Sequence, residues 1–273
     1  MKQATLIYRA RRFSPNSVEN DRLILHLTGE NLRLQGYDIC ELTEEELLAK
    51  GTLPPTDIIF TMTRQEESLR IITKSGCQHI INAPSGIAEC SDRQSLTNRM
   101  QSLAIPIPPE NGSEGVWLKR SRGTAEVAED TVFCTSEKDI ECAMEAFMKR
   151  GIHEVSRQAH ITGDLVKFYG VAHTPFFHHF YPTDSGRSKF GSEAHNGTAH
   201  HYPFSANALQ TAVNRLAAHI GVPVYGGDAI VTEDGGFRII DFNDWPTFSP
   251  CRDEAAKAIA SLADGNGICI HKH

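Results

Sequence analysis

The sequence predicts a mixed protein: a parallel α/β layer over the first eighty residues, followed by α+β structure. Three observations carry this. Strand-like apolar runs alternate with helix-period runs up to residue 76, the strands become longer and more aromatic after residue 160, and an Asp-Gly pair at residues 234–235 joins two apolar strands into a hairpin.

Taken in order, ATLIYRA (4–10) reads as a strand and SVENDRLILHLTGENLRLQG (17–36) as a helix capped by Ser17 and stopped at Gly36. YDICEL (37–42) is a second strand. In TEEELLAKG (43–51), Thr43 and Glu46 have capping-box spacing at the head of a short helix. TDIIFTM (56–62) is a third strand, and RQEESLRIITKSG (64–76) a helix ending at Gly76. CQHIINAP (77–84) reads as another strand, and SDRQSLTNRMQSLAIPIPP (91–109) as a helix capped by Ser91 and closed by prolines. Strand VWLKR (116–120), strand DTVFCT (130–135), helix SEKDIECAMEAFMKRG (136–151) and strand HEVSRQAH (153–160) follow. Beyond the aromatic strands of 163–182 comes the helix SANALQTAVNRLAAHIG (205–221), then the hairpin, then a last helix opened by Ser249-Pro250 and closed near Gly265. Three segments result, 1–83, 84–160 and 161–273.

At 273 residues, 40% hydrophobic and 22% charged, the chain can bury two or three sizeable cores. A formal charge of -7 argues against a nucleic-acid partner, which requires many Lys/Arg contacts to phosphate. Seven scattered cysteines, odd in number and never in ligand spacing, point to reduced thiols in a cytoplasm-like compartment. The apolar segment in MKQATLIYRARRFSPN is too short for a secretory signal, and no run approaches the ~18 to 20 apolar residues of a membrane span. A soluble cytoplasmic protein without a membrane partner is expected.

The hairpin VYGGDAIV–TEDGG–FRIIDFN carries unexpected charge. With Asp234-Gly235 as the turn, Asp228 faces Asp241; with Gly235-Gly236, it faces Asn243. Either register sets Asp228, Asp241 and Asn243 on one face, because side chains alternate along a strand. Ala229, Val231, Ile240 and Phe242 then fall on the core face. A three-residue loop with a bulge would break this register. Opposed carboxylates repel at such short range, so a cation between them is expected, and replacing Asp241 with Asn should preserve or raise stability when no metal is bound. Two carboxylates and an amide oxygen suit Mg²⁺, which completes its shell with water and substrate phosphates.

The order GGDAIV…GGFRIIDFNDWP resembles the end of an ATP-grasp domain, and the resemblance extends over most of the chain. HIINAPSGIAECSDRQSLTNRMQSLAIPIPP is similar to the segment entering the ATP-grasp core, VWLKR to the strand bearing the phosphate lysine, and EVSRQAHITGDLVKFYGV to the hinge strand at adenine. The resemblance implies an ATP-grasp fold: an N-terminal Rossmann-like pre-ATP-grasp subdomain (1–83), a central subdomain (84–160), and a C-terminal subdomain with the metal site (161–273).

By the same resemblance, Asp228, Asp241 and Asn243 hold Mg²⁺, Lys119 meets the α- and β-phosphates of ATP, Gln158 to His160 form the adenine hinge, and Lys167 points into the cleft. The acidic ribose contact common in the family is not evident. Where the family has a glycine-rich loop over the triphosphate, RSRGTAEVAED offers only Gly123, leaving Arg120 or Arg122 as substitutes. Residues 176–203 hold His178, His179, His195, His200 and His201 with Arg187 and Lys189, without zinc-ligand spacing. Arg187 is the candidate catalytic cation for the transferred phosphate. The activity implied is that of a Mg-ATP-dependent ligase joining a carboxylate to an amine through an acylphosphate, acting on a small molecule or peptide. The alternatives are a small-molecule kinase of the same fold and a nucleotide-binding protein without turnover.

Overall fold

The structure, a computed structural model, describes residues 2–14, 18–123, 127–185 and 196–264. Strands β1 (Lys2–Tyr8), β2 (Tyr37–Thr43), β3 (Ile58–Thr61) and β4 (Ile80–Ile81) form a parallel sheet in the order β2-β1-β3-β4. Parallel strands are covered on both faces, which is why they read as continuous apolar runs. On one face Ala4, Leu6 and Phe60 pack with Ile24, Leu25 and Leu32 of α1 (Val18–Leu34). On the other, Ile7 and Ile59 pack with Leu47 of α2 (Glu44–Lys50) and Ile72 of α3 (Glu66–Lys74). Each fully buried Ile or Leu in these layers contributes ~1.5 to 3 kcal/mol relative to exposure. The capping box forms as expected, Thr43 Oγ1 accepting from the Glu46 N–H while the Glu46 carboxylate accepts from the Thr43 N–H. Ser17 lies outside the described residues.

The next segment departs from the sequence reading. The strand expected over 77–84 contracts to Ile80–Ile81, and a helix the reading missed, α4 (Pro84–Cys90), follows with Pro84 at its head. Proline is favoured there because the first helical N–H has no partner to lose. Ser91 therefore closes α4, its N–H donating to Ile87 and Ala88. Asp92 instead caps α5 (Arg93–Ser102), its carboxylate accepting from the N–H groups of Gln94 and Ser95.

Strands β5 (Val116–Arg120), β6 (Thr131–Cys134) and β7 (Val155–Ala159) make a small antiparallel sheet, β6-β5-β7, backed by α6 (Glu137–Lys149) through Val116, Leu118 and Phe147. The third sheet, β11-β10-β8-β9, comprises β8 (Asp164–Val171), β9 (Phe177–Phe180), β10 (Val224–Val231) and β11 (Phe237–Asp244). Helix α7 (Ala206–Ile220) covers one face, with Leu209, Val213 and Leu216 against Phe168, Tyr225 and Phe242.

Two helices cross the linear segments. Leu96 and Met100 of α5 join the core beneath the third sheet, although α5 precedes the central sheet in sequence. Helix α8 (Arg252–Ser261), with Cys251 rather than Ser249 at its cap position, returns to the first sheet, burying Ala255, Ala256 and Ile259 beside Ile24 and Leu25 of α1.

Candidate active site

The β10–β11 hairpin does place Asp228 opposite Asp241, but by a different route from a two-residue turn. Thr232 donates its N–H to Gly236, closing a three-residue loop of Glu233, Asp234 and Gly235, with Gly235 left-handed at φ +79. Glycine takes that conformation without a Cβ clash. The loop shifts the pairing so that Val231 faces Phe237 and Ala229 faces Ile239. A bulge between Asp228 and Ala229 on β10, with Ile240 unpaired on β11, then restores the Asp228–Asp241 register. Consequently Ile239, not Ile240, joins Ala229 and Phe242 in the core. The Ile240 carbonyl is turned to another use: Lys119 Nζ donates to it at 3.2 Å and to Gln158 Oε1 at 2.9 Å.

Across the sheet, register places Phe180, Lys167, Asp228 and Asp241 in one row and His178, Tyr169, Gly226 and Asn243 in the next. Strand alternation sets both rows on the same face. Tyr169 lies over Gly226, where an added Cβ would stand 2.8 Å from its ring and 2.7 Å from Pro246. Lys119 reaches this face from β5, and Trp117, two residues earlier, shares its side of the central sheet and packs against Phe133 with ring centroids 4.9 Å apart.

The positive charge expected between the carboxylates is supplied by the chain itself. Lys167 Nζ is 3.2 Å from Asp228, and Arg93 is 2.8 Å from Asp241. Asn243 Nδ2 also donates to Asp241 at 2.9 Å. Burial alone would raise the Asp241 carboxyl, but Arg93, Lys119 and the Asn243 amide together outweigh it and bring its pKa down to about 2. Asp228 is raised, chiefly by burial, with Lys167 opposing and Asp241 adding to the effect. Burial, assisted by Arg93, lowers Lys119 to about 8. Because Asp241 already has a cationic partner in Arg93, neutralising it removes an attraction as well as a repulsion, and the expected effect on the metal-free protein reverses to a loss of stability.

Arg93 is the functional candidate that sequence reasoning missed. It is the first residue of α5, its N–H donates to Ser121 just past β5, and its guanidinium crosses to β11. A separation of 148 residues leaves no local signal for that pairing. Of the other candidates, Gln158 contacts Lys119, while His160 Nδ1 accepts from Trp117 Nε1 at 3.1 Å. The N–H groups of Ala159 and His160 donate to Pro109 and Gly115, so at the hinge these two donors are already engaged. Arg122 pairs with Glu154 at 2.7 Å and Asp92 at 3.4 Å, and Arg120 lies 3.8 Å from Asp130, turned toward partners in the central sheet region. His200 and His201 pair separately with Asp164 and Asp184. Arg187, Lys189, His195 and residues 124–126 lie outside the described residues.

The donor set can be tested against Mg²⁺. Asp228 and Asp241 offer carboxylate oxygens from facing strands and Asn243 an amide on the same face, all hard oxygen chemistry. Among the described residues no group of three or more His, Cys, Asp or Glu could hold a metal. Two carboxylates and an amide fit an ion that takes its remaining ligands from water and phosphate. Three cations, Lys119, Arg93 and Lys167, against two carboxylates leave the cluster net positive, a balance suited to a metal arriving with a polyphosphate. The six described cysteines are free thiols, and no described helix is long and apolar enough to cross a membrane.

No family model and no curated protein sequence matches the chain. Solved structures do. D-alanyl-alanine synthetase A from Vibrio cholerae superposes with a TM-score of 0.67 at 12% identity, covering 97% of this chain and 98% of that one. D-alanine–D-alanine ligase from Bacillus anthracis complexed with ATP gives 0.65 at 12% identity over 98% and 100%. A RimK domain ATP-grasp protein from Sphaerobacter thermophilus gives 0.63 at 16% identity over 96% and 99%. The match runs the length of each molecule, through all three sheets, and on that ground the chain has the ATP-grasp fold.

Proposed function

We propose that the chain is a Mg-ATP-dependent ligase that activates a carboxylate as an acylphosphate and joins it to an amine. The observation that carries this reading is the convergence, on one sheet face, of Asp228, Asp241 and Asn243 with Lys119, Arg93 and Lys167 from three separate elements. The ATP-grasp fold supports it, since the similar structures include D-alanine–D-alanine ligases, one complexed with ATP.

Lys119, Arg93 and Lys167 would neutralise the triphosphate, with Trp117 and Phe133 flanking the base on the same side of β5. Asp228, Asp241 and Asn243 would hold Mg²⁺, which when bound supplies charge stabilisation to the phosphates. Arg93 would leave Asp241 for phosphate, and Lys167 would leave Asp228, so nucleotide replaces the internal ion pairs. The substrate carboxylate oxygen forms a bond to the γ-phosphorus as the bond to the β–γ bridging oxygen breaks, releasing ADP. The amine then attacks the acyl carbon, phosphate departs, and the nitrogen loses a proton. Catalysis in this scheme comes from positioning and charge neutralisation, without a protein nucleophile. Arg187 remains the candidate cation for the transferred phosphate.

Mg²⁺-dependent ADP release, screened against pools of amino acids, peptides and polyols, tests the reading. Free phosphate with a joined product identifies the ligase. A phosphorylated product with no free phosphate would identify a kinase, and nucleotide binding without ADP release a protein lacking turnover.

A further inference from the structure

Asp244 follows Asn243 at the end of β11 and lies outside the donor set, yet its side chain is only 1% exposed. Arg64, just past β3, holds its carboxylate at 2.8 Å, and Arg9, just past β1, faces it at 3.7 Å. Arg9 also donates to the Trp245 carbonyl at 3.1 Å and pairs with Asp21 of α1 at 3.1 Å. On the adjacent strand Asn82, just past β4, donates to the Val224 carbonyl at 2.8 Å and accepts the Val224 N–H at 2.9 Å. The carboxyl edge of the first sheet thus grips both strands of the acidic hairpin at their root.

Burying two guanidiniums and two carboxylates is a costly way to add stability, because desolvation offsets much of the attraction and apolar side chains would pack as well. What the network supplies is direction. Each carboxylate can be satisfied in only a few orientations of the fork-shaped guanidiniums, so the backbone carrying Asp244 is held at a set position. One residue earlier stands Asn243, whose amide in turn contacts Asp241.

We infer that Asp244 is a positioning residue for the metal-binding strand, with Arg9 and Arg64 fixing it so that Asn243 and Asp241 are presented together to Mg²⁺. The inference rests on the nucleotide and metal reading above. Groups that orient metal ligands from outside the donor set typically change metal affinity by roughly 10- to 100-fold when altered.

Calorimetry with a non-hydrolysable ATP analogue, repeated over a range of Mg²⁺ concentrations, tests it. Asp244→Asn keeps the shape and removes the charge. Its metal-free affinity for the analogue should match the unmodified protein, while the Mg²⁺ concentration giving half-maximal tightening should rise by roughly 10-fold or more. Arg64→Lys retains the charge but not the fork and should move the same midpoint in the same direction by a smaller factor. A merely structural Asp244 would lower the melting temperature without moving that midpoint. An unchanged midpoint in folded Asp244→Asn, or in Arg64→Lys should the first variant not fold, overturns the inference. If the unmodified protein binds the analogue equally with and without Mg²⁺, the metal site and this inference fall together while nucleotide binding stands; if it binds none at any Mg²⁺ concentration, the nucleotide reading falls as well.

Discussion

Asp241→Asn is expected to destabilise the ligand-free protein. The Asp241 carboxylate lies 2.8 Å from Arg93 and accepts the Asn243 amide at 2.9 Å. Burial opposes ionisation there, but Arg93, Lys119 and Asn243 prevail and lower its pKa from 3.8 to about 2. A depression of roughly two units corresponds to about 2–3 kcal/mol. The side chain is 24% exposed, so solvent screening reduces this to about 1–2 kcal/mol. For a chain of this size, that is a melting temperature lower by roughly 2–8 °C. An acid with a depressed folded pKa contributes its stability above the unfolded value and loses it as pH falls through the folded one. The gap between variant and unmodified protein should therefore hold from pH 7 to about 4 and narrow toward pH 2. Thermal melts of both proteins without nucleotide, at pH 7 and at about pH 3, measure it. An equal or higher melting temperature for the variant at pH 7 would show that Asp228–Asp241 repulsion outweighs the Arg93 pair, and the charge assignment of the cluster would have to be reversed.

Three further outcomes are expected. Lys119→Ala should weaken binding of an ATP analogue by roughly 10- to 100-fold while leaving the fold intact, as loss of one charged hydrogen-bonding partner does; titration calorimetry reads it, and equal affinity removes Lys119 from the phosphate site. Because burial and Arg93 hold Lys119 near pKa 8, it is partly neutral above that pH, and phosphate should draw a proton onto it. Binding heats at pH 8.5 in buffers of different ionisation enthalpy should reveal proton uptake that vanishes in Lys119→Ala. Finally, of the two tryptophans Trp117 shares the Lys119 side of β5 while Trp245 is 1% exposed, so nucleotide should change the emission of the unmodified protein and leave that of Trp117→Phe unaltered.

How much of this was legible in the sequence follows from the range of each interaction. The capping box at Thr43 and Glu46 acts over a few positions, while the first parallel layer is written in the alternation of strand and helix periods and the face shared by Asp228, Asp241 and Asn243 in side-chain alternation across a single hairpin. Helix α4 was hidden because its seven residues include Pro, Ser and Gly and are too short to show an apolar period. The Asp228–Asp241 pairing was anticipated through a two-residue turn, whereas it arises from a three-residue loop and a compensating bulge.

The sequence alone determined that Asp228, Asp241 and Asn243 would share one face of a hairpin and that a positive charge would meet the carboxylates, because alternation and like-charge repulsion are local rules. It could not determine which charge. Arg93 reaches Asp241 across 148 positions, Lys119 reaches Ile240 across 121, and Arg64 reaches Asp244 across 180, each carried there by the packing of a helix or sheet edge against another. The folded chain therefore decides whether Asp241 is a strained acid or a paired one, since its pKa is set by side chains that only tertiary structure brings within a few ångströms.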